Sequence, residues 1–351
     1  MRGPMFRSWR RHSRRAAFWL AGFFCVSQLA LAVYVDQDAP AIRDPEYVLL
    51  QDMLRDRIAE QPGKPVAMFL GSSRVALGFD AARARGDNDA VVFNFGIPGS
   101  GPYLQTIILE RLNNAGIHLD VLFLEVLHPF YNSTGIRSLD HSLLDGARLT
   151  AGEASGLLHY GKPLRTGPIR RWVWARALPS NRHQAELRDA LHLDVYQPGQ
   201  GPPAPFQPID QFGHRKREIP PDYWQEFVNL AHRQYDDYFA RFELDPAPWG
   251  RLTMAIDTAR ARGTEVVIVL MPEGTGFRRL YTPQSSQGVA DVIRRLREEI
   301  GVTVVDAREW MDDSGFYDHH HLLPRGAAVF ADRFRTDALE PALRRRAQSS
   351  K

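Results

Sequence analysis

Short, largely apolar runs alternate along the chain with longer stretches in which apolar residues recur every three or four positions. Residues 66–70 form one such run and close on Gly71; residues 91–95 form another and close on Gly96. Residues 121–126, 265–270 and 302–305 supply three more. Runs of this length are too short for core helices, and their apolar character on both faces fits strands covered on both sides. The intervening segments have helical spacing. In 102–114, for instance, Leu104, Ile107, Ile108 and Leu112 share one side. Further helices are predicted near 47–60, 250–262, 289–300 and 325–343. The pattern predicts an α/β fold built on a doubly wound, parallel five-stranded sheet.

Residues 132–249 break this rhythm. They hold an apolar and basic stretch at 169–177 and a loop at 197–221 with seven prolines, too many for regular structure. An aromatic helix follows at about 223–242. We read 132–249 as a largely helical insertion in an α/β domain spanning 63–345, acting as a cap over the sheet, with 36–62 as a linker and first helix. No internal repeat is evident.

Charge changes the picture at the N-terminus. Residues 1–15 hold six arginines and no acid; without those six, 38 basic residues face 41 acidic ones. The basic balance therefore belongs to a cytoplasmic tail and not to a nucleic-acid-binding surface, so no nucleic-acid partner is expected. Residues 16–35 follow without a single charge. Twenty helical residues span about 30 Å, the thickness of a bilayer core. Arginines before this run and Asp36 after it predict a single-pass anchor in the cytoplasmic (inner) membrane, N-terminus inside and the main domain outside. A cleaved signal, with Ala30-Leu31-Ala32 near the cleavage point, is the other reading; the product would then be secreted. The one cysteine, Cys25, lies inside the apolar run, which leaves the exported part without disulfides or a thiol nucleophile.

Candidate chemistry gathers where an open parallel sheet binds ligands, beyond the carboxyl ends of its strands. The first strand ends in Gly71-Ser72-Ser73-Arg74, and the second in a turn through Gly96 and Gly99. The fifth is followed by Asp318-His319-His320-His321. An Asp and a His three positions apart can form the orienter and base of a nucleophile triad, and a serine at a neighbouring strand end would complete it. Each part also has a plain reading: Ser73 as a helix cap, the glycines as a tight turn, the histidines as loop residues. The glycine spacing does not match a dinucleotide fingerprint, and adjacent histidines diverge too much for a metal, so no cofactor and no metal are expected.

Together these blocks resemble the SGNH (GDSL-type) hydrolase superfamily, in the form of a divergent membrane-anchored member. The likeness runs over residues 64–130 and 250–345 and is closest at 316–331. It implies a flavodoxin-like sheet of the SGNH-hydrolase type, with Ser73 as nucleophile, Ser73 and Gly99 as oxyanion donors, Asp318 as orienter and His321 as base. Two blocks depart from the family pattern: Ser72 replaces the usual Asp, and Glu125-Val126-Leu127-His128 stands where an Asn is expected. Ser72, Arg74, Glu125, His128 and Asn132 are therefore possible auxiliary residues, with Glu125 also able to pair structurally with Arg74. The turn is also similar to that of exported D-alanyl-transfer and polysaccharide O-acetylation proteins.

The expected function is an extracytoplasmic serine esterase or acyltransferase acting on an O-acyl ester of a cell-envelope glycan. The expected partners are that glycan, the membrane through residues 16–35, and a membrane-bound acyl-transfer protein. Tyr223, Trp224 and Tyr235 could stack on sugar rings, although their spacing also suits a packing face. The alternative is a non-catalytic SGNH-like glycan-binding or scaffold protein of a membrane complex.

Overall fold

Each of the five apolar runs becomes a strand: β1 (Val66–Gly71), β2 (Val91–Gly96), β3 (Val121–Glu125), β4 (Glu265–Leu270) and β5 (Thr303–Asp306). The computed structural model describes residues 4–133, 139–159, 162–191 and 209–349. All strand pairs are parallel, in the order β2-β1-β3-β4-β5. This is the doubly wound order expected from the pattern, with the direction of winding reversing between β1 and β3. β1, β2 and β3 are buried along their whole length, whereas the edge strand β5 is half-covered.

Among the helices are, in chain order, α1 (Pro4–Gln37), α2 (Pro45–Glu60), α3 (Ser73–Gly78), α4 (Ala81–Arg85), α5 (Pro102–Asn114) and α6 (Lys162–Ala177). They continue with α7 (Trp224–Ala240), α8 (Pro246–Ala261), α9 (Pro283–Glu298), α10 (Pro324–Phe334) and α11 (Glu340–Ser349). α9 begins six residues before the apolar spacing does because Thr282 caps it. The Thr282 hydroxyl accepts the Ser285 N–H at 3.1 Å, and the Ser285 hydroxyl accepts the Thr282 N–H at 2.8 Å. The single helix expected at 325–343 is instead α10 and α11 joined by a π-helical turn at Arg335–Leu339.

The chain divides into two compact units. The first comprises the described residues of Met1–Val48, Asp145–His159 and Arg165–Tyr196. Its α1 contains Arg14–Gln37, long and apolar enough to cross a membrane, with Phe18, Trp19, Leu20 and Phe23 exposed. Gln28, a polar residue within that stretch, accepts a hydrogen bond from the Ser180 hydroxyl at 2.8 Å. Asp44 takes the Arg148 guanidinium at 2.9 Å, and Asp36 pairs with Arg176.

The second unit, the described residues of Leu49–Leu144 and Gln197–Lys351 with those of Tyr160–Leu164, holds the sheet. Its core on one face is aromatic. Phe334, fully buried at the end of α10, stacks on Phe69 of β1 at 5.3 Å and meets Phe79 and Phe123 edge-on at 4.9 and 4.7 Å. Such pairs add to the large apolar area that buried Phe removes from water. Phe334→Ala should therefore lower unfolding stability by about 3–5 kcal/mol, read as a fall in the urea midpoint of the full chain. A change below about 1 kcal/mol would contradict this packing.

Candidate active site

The turn from β1 into α3 is fixed from below. Gly71 has no room for a side chain: a Cβ there would lie 2.4 Å from Val75 and 2.6 Å from Glu125. Ser72 caps α3, its hydroxyl accepting the Arg74 N–H at 3.3 Å, and its own N–H donates to Glu125 Oε2 at 2.6 Å. That second bond spans the point between β1 and β3 where the winding reverses. Ser73 is the first residue of α3, where main-chain N–H groups have no partner within the helix. The far end of α3 is held by Asn94, buried in β2. Its amide donates to Val75 O at 2.8 Å and Phe79 O at 2.7 Å, and its carbonyl accepts the Gly96 N–H at 2.8 Å.

The loop after β5 closes on itself through a bridge between Phe316 and Leu322. Asp318 organises it: Oδ1 accepts the N–H groups of His320 at 3.1 Å and His321 at 2.7 Å. His319 takes a left-handed backbone (φ 69°), and its carbonyl accepts the Gly274 N–H at 2.7 Å. This geometry turns the His321 ring back over Asp318. His321 Nδ1 lies 2.7 Å from Asp318 Oδ2, and Tyr317 stacks parallel to the ring at 5.6 Å.

These two turns meet. Ser73 Oγ lies 2.7 Å from His321 Nε2. Burial alone would raise the Asp318 pKa, but the His320 and His321 rings and the bonds from His321 outweigh it and hold the carboxyl well below its ordinary range. An ionised Asp318 accepts only, so Nδ1 carries the imidazole proton and Nε2 presents a lone pair to the Ser73 hydroxyl. Ser73 and His321 are both partly exposed, whereas Asp318 is buried.

Gly99 stands in the turn after β2, whose end pairs with that of β1 (Gly71 opposite Gly96). Pro98 precedes it, its φ is +76°, and Ser100 N–H donates to Ile97 O at 2.9 Å. This is the type II turn pattern, in which the third residue needs the left-handed freedom of glycine. The auxiliary candidates divide. Arg74 and Glu125 are both buried and pair at 3.9 Å, the structural role foreseen as one option. Arg74 also donates to Met271 O at 3.0 Å and Pro272 O at 2.8 Å. Asn132 does not supply the missing asparagine. Its amide nitrogen donates to Tyr238 O and Arg241 O, and its oxygen accepts the Glu243 N–H. His128 is likewise engaged elsewhere, 3.1 Å from the Tyr281 hydroxyl, which itself donates to Glu273 at 3.0 Å. Burial, with Arg308 and Arg74 nearby, pushes the His128 pKa well down. Tyr235 is a buried packing residue, edge-on to Phe277 and His320, while Tyr223 is exposed.

Asn94 and the Glu273–Tyr281 pair lie outside the motifs that mark the candidate site. Asn94 had a readable signal, a lone amide inside an otherwise apolar strand. Glu273, Tyr281, Arg278 and Arg308 line a cavity of about 470 Å³ beyond the ends of β4 and β5. Burial raises the pKa of Glu273 despite Arg74 and Arg308.

His320, between Phe277 (stacked at 5.0 Å) and Tyr235, has its pKa pushed from 6.5 down to about 3, first by burial and against the pull of Asp318. Between those values the unfolded chain holds the proton and the folded chain does not. Stability should therefore fall as pH drops from about 6.5 toward 3, with this residue contributing up to about 1.4 kcal/mol per pH unit. His320→Phe should flatten the slope of the urea midpoint between pH 7 and 4; identical slopes in both proteins would refute the assignment.

A family model described as a protein of unknown function (DUF1574) matches residues 35–150, about a third of the chain. No curated protein matches the sequence. Among solved structures, the chain is similar to a proposed acylhydrolase from Bacteroides fragilis NCTC 9343, at 10% identity and a TM-score of 0.39, over 84% of this chain and 97% of that one. It is also similar to an alpha/beta hydrolase enzyme from the metagenome of Lake Arreo, Spain, at 12% identity and a TM-score of 0.31, over 78% of this chain and 94% of that one. At such scores neither likeness carries the functional reading, which rests on the site itself.

Proposed function

We propose that this chain is a membrane-anchored, extracytoplasmic serine esterase or acyltransferase of the SGNH type, acting on an O-acyl ester of a cell-envelope glycan. The observation that carries the reading is the unbroken chain of 2.7 Å contacts from Ser73 Oγ through His321 to Asp318. The charge-free run at 16–35, with arginines before it, supports an anchor with the site outside the cytoplasm.

In this reading Ser73 Oγ attacks the ester carbonyl as its proton passes to His321 Nε2. Asp318 holds the tautomer and stabilises the imidazolium. The N–H groups of Ser73 and Gly99 take the oxyanion. As the ester C–O bond breaks, His321 returns the proton to the leaving sugar hydroxyl and an acyl-Ser73 remains. Water or a second glycan hydroxyl, deprotonated by His321, then releases the acyl group. The cavity beside Glu273 and Arg308 offers polar groups for an acceptor. The engagement of Asn132 and His128 elsewhere favours one further reading, a non-catalytic glycan-binding or scaffold protein with the same site geometry.

Hydrolysis of a nitrophenyl acetate ester by the detergent-solubilised chain separates the two. Ser73→Ala and His321→Ala should each lower kcat/KM by about 10³-fold or more, and the double variant should be little worse than either, because the residues act as a unit. Turnover unaffected by Ser73→Ala, or absent from a well-folded wild type, would sink the catalytic reading. Given turnover, release of acetate compared with transfer to an oligosaccharide acceptor divides esterase from transferase.

A further inference from the structure

A second cluster of ligating side chains lies at the other end of α3 from Ser73, built from segments about 130 residues apart. Asp80 follows α3 and caps α4, its Oδ1 accepting the Arg83 N–H at 3.0 Å. Asp210 opens a tight loop closed by the bridge between Ile209 and Arg215. Its Oδ1 accepts the N–H groups of Phe212 at 2.9 Å and His214 at 3.1 Å. The loop is seated firmly: Arg215 N–H donates to Ala76 O at 2.9 Å, and a Cβ on Gly213 would lie 2.0 Å from Asn94 O. In each carboxylate, then, one oxygen is fixed by main-chain donors and the other, Oδ2, faces His214.

His214 is the telling member. Its side chain is 1% exposed. Nε2 lies 3.1 Å from Leu77 O, and a carbonyl can only accept, so Nε2 carries a proton. Nδ1 is buried and has no hydrogen-bond partner among the described residues. It points between Asp80 Oδ2 and Asp210 Oδ2, 3.9 Å from each. That separation is too long for a hydrogen bond, so neither a bare nor a protonated Nδ1 is satisfied by these oxygens. A bare lone pair facing two carboxylates is worse still, unless a positive ion lies between them.

We propose that Asp80 Oδ2, Asp210 Oδ2 and His214 Nδ1 form a divalent-metal site that fastens the C-terminal end of α3 to the 209–215 loop. The three atoms lie within 4.8 Å of one another. A four-coordinate ion with bonds of about 2.0–2.2 Å holds its ligands roughly 3.3–3.6 Å apart, so Nδ1 must close on each oxygen by about 0.3–0.6 Å and the two oxygens on each other by up to about 1.2–1.5 Å, which side-chain rotation supplies. Asp80 and Asp210 are partly exposed, at 16% and 29%, which leaves solvent able to complete the coordination. The bond from Nε2–H to Leu77 O is the outer-shell contact that metal-bound histidines make to fix their tautomer. One imidazole nitrogen with two carboxylate oxygens suits a first-row ion, Zn²⁺ or Mn²⁺, over Ca²⁺ or Mg²⁺. The ion's role is structural: it stiffens the short helix that begins at Ser73.

The test needs no substrate and does not depend on the catalytic reading. The full chain, purified without a histidine tag and stripped with chelator, is titrated with Zn²⁺, Mn²⁺, Ca²⁺ or Mg²⁺ while bound metal and the thermal midpoint are measured. One equivalent of Zn²⁺ or Mn²⁺ should bind and raise the midpoint by several degrees. Asp210→Asn, which keeps the oxygen that caps the loop, and His214→Gln should each weaken binding at least tenfold, with metal-free midpoints near that of wild type. His321→Ala should leave the binding unchanged. Failure of the wild type to bind an equivalent, or equal binding in both Asp210→Asn and His214→Gln, would overturn the site.

Discussion

The buried guanidinium of Arg74 is the point to which the edge of the sheet carrying the candidate site is tied. It lies directly after Ser73, donates to the carbonyls of Met271 and Pro272 beyond β4, and sits 3.9 Å from the carboxylates of both Glu125 and Glu273. One side chain thus joins the ends of β1, β3 and β4. Glu125 in turn accepts the Ser72 N–H, so the charge that balances Arg74 also sets the turn presenting Ser73. A charge this deep persists only while its partners remain; removing one partner of a buried pair typically costs about 3–5 kcal/mol. Phe277 extends the arrangement, with Arg74 over its ring and His320 stacked on it. The same local network therefore supports both turns that bring Ser73 to His321.

Around this point, geometry is set by main-chain constraints more than by side-chain contacts. Gly71 admits no Cβ, Gly99 needs a left-handed backbone, and Asp318 uses one oxygen to hold two N–H groups while the other orients the His321 ring. Asn94 grips α3 from β2. A six-residue helix has little rigidity of its own, so the one that begins at Ser73 is held at its start by Glu125, at its end by Asn94, and through Ala76 by the 209–215 loop.

Much of this was legible in the chain. Apolar runs located all five strands to within a residue or so, because strands buried on both faces leave little room for polar residues. The Asp318-to-His321 spacing and the serine after the first strand were readable because a local turn and a strand end are short-range features. Much of the rest depends on contacts distant in sequence. That Asn132 would be spent on the carbonyls of Tyr238 and Arg241 could not be read from its neighbours, nor could the pairing of His128 with Tyr281. Asp80 and His214 look like ordinary loop residues until folding brings them together. Helix starts such as Pro283 were missed because a capping hydroxyl, not apolar spacing, decides where α9 begins.

The central claim is that His321 and Asp318 make the Ser73 hydroxyl a nucleophile. Intact-mass analysis of the folded chain after exposure to a fluorophosphonate, followed by peptide mapping, tests it most directly. The account predicts a single adduct, on Ser73, that forms at least a hundredfold more slowly in His321→Ala. An unmodified Ser73 in folded wild type, or an adduct that forms equally fast without His321, would contradict it.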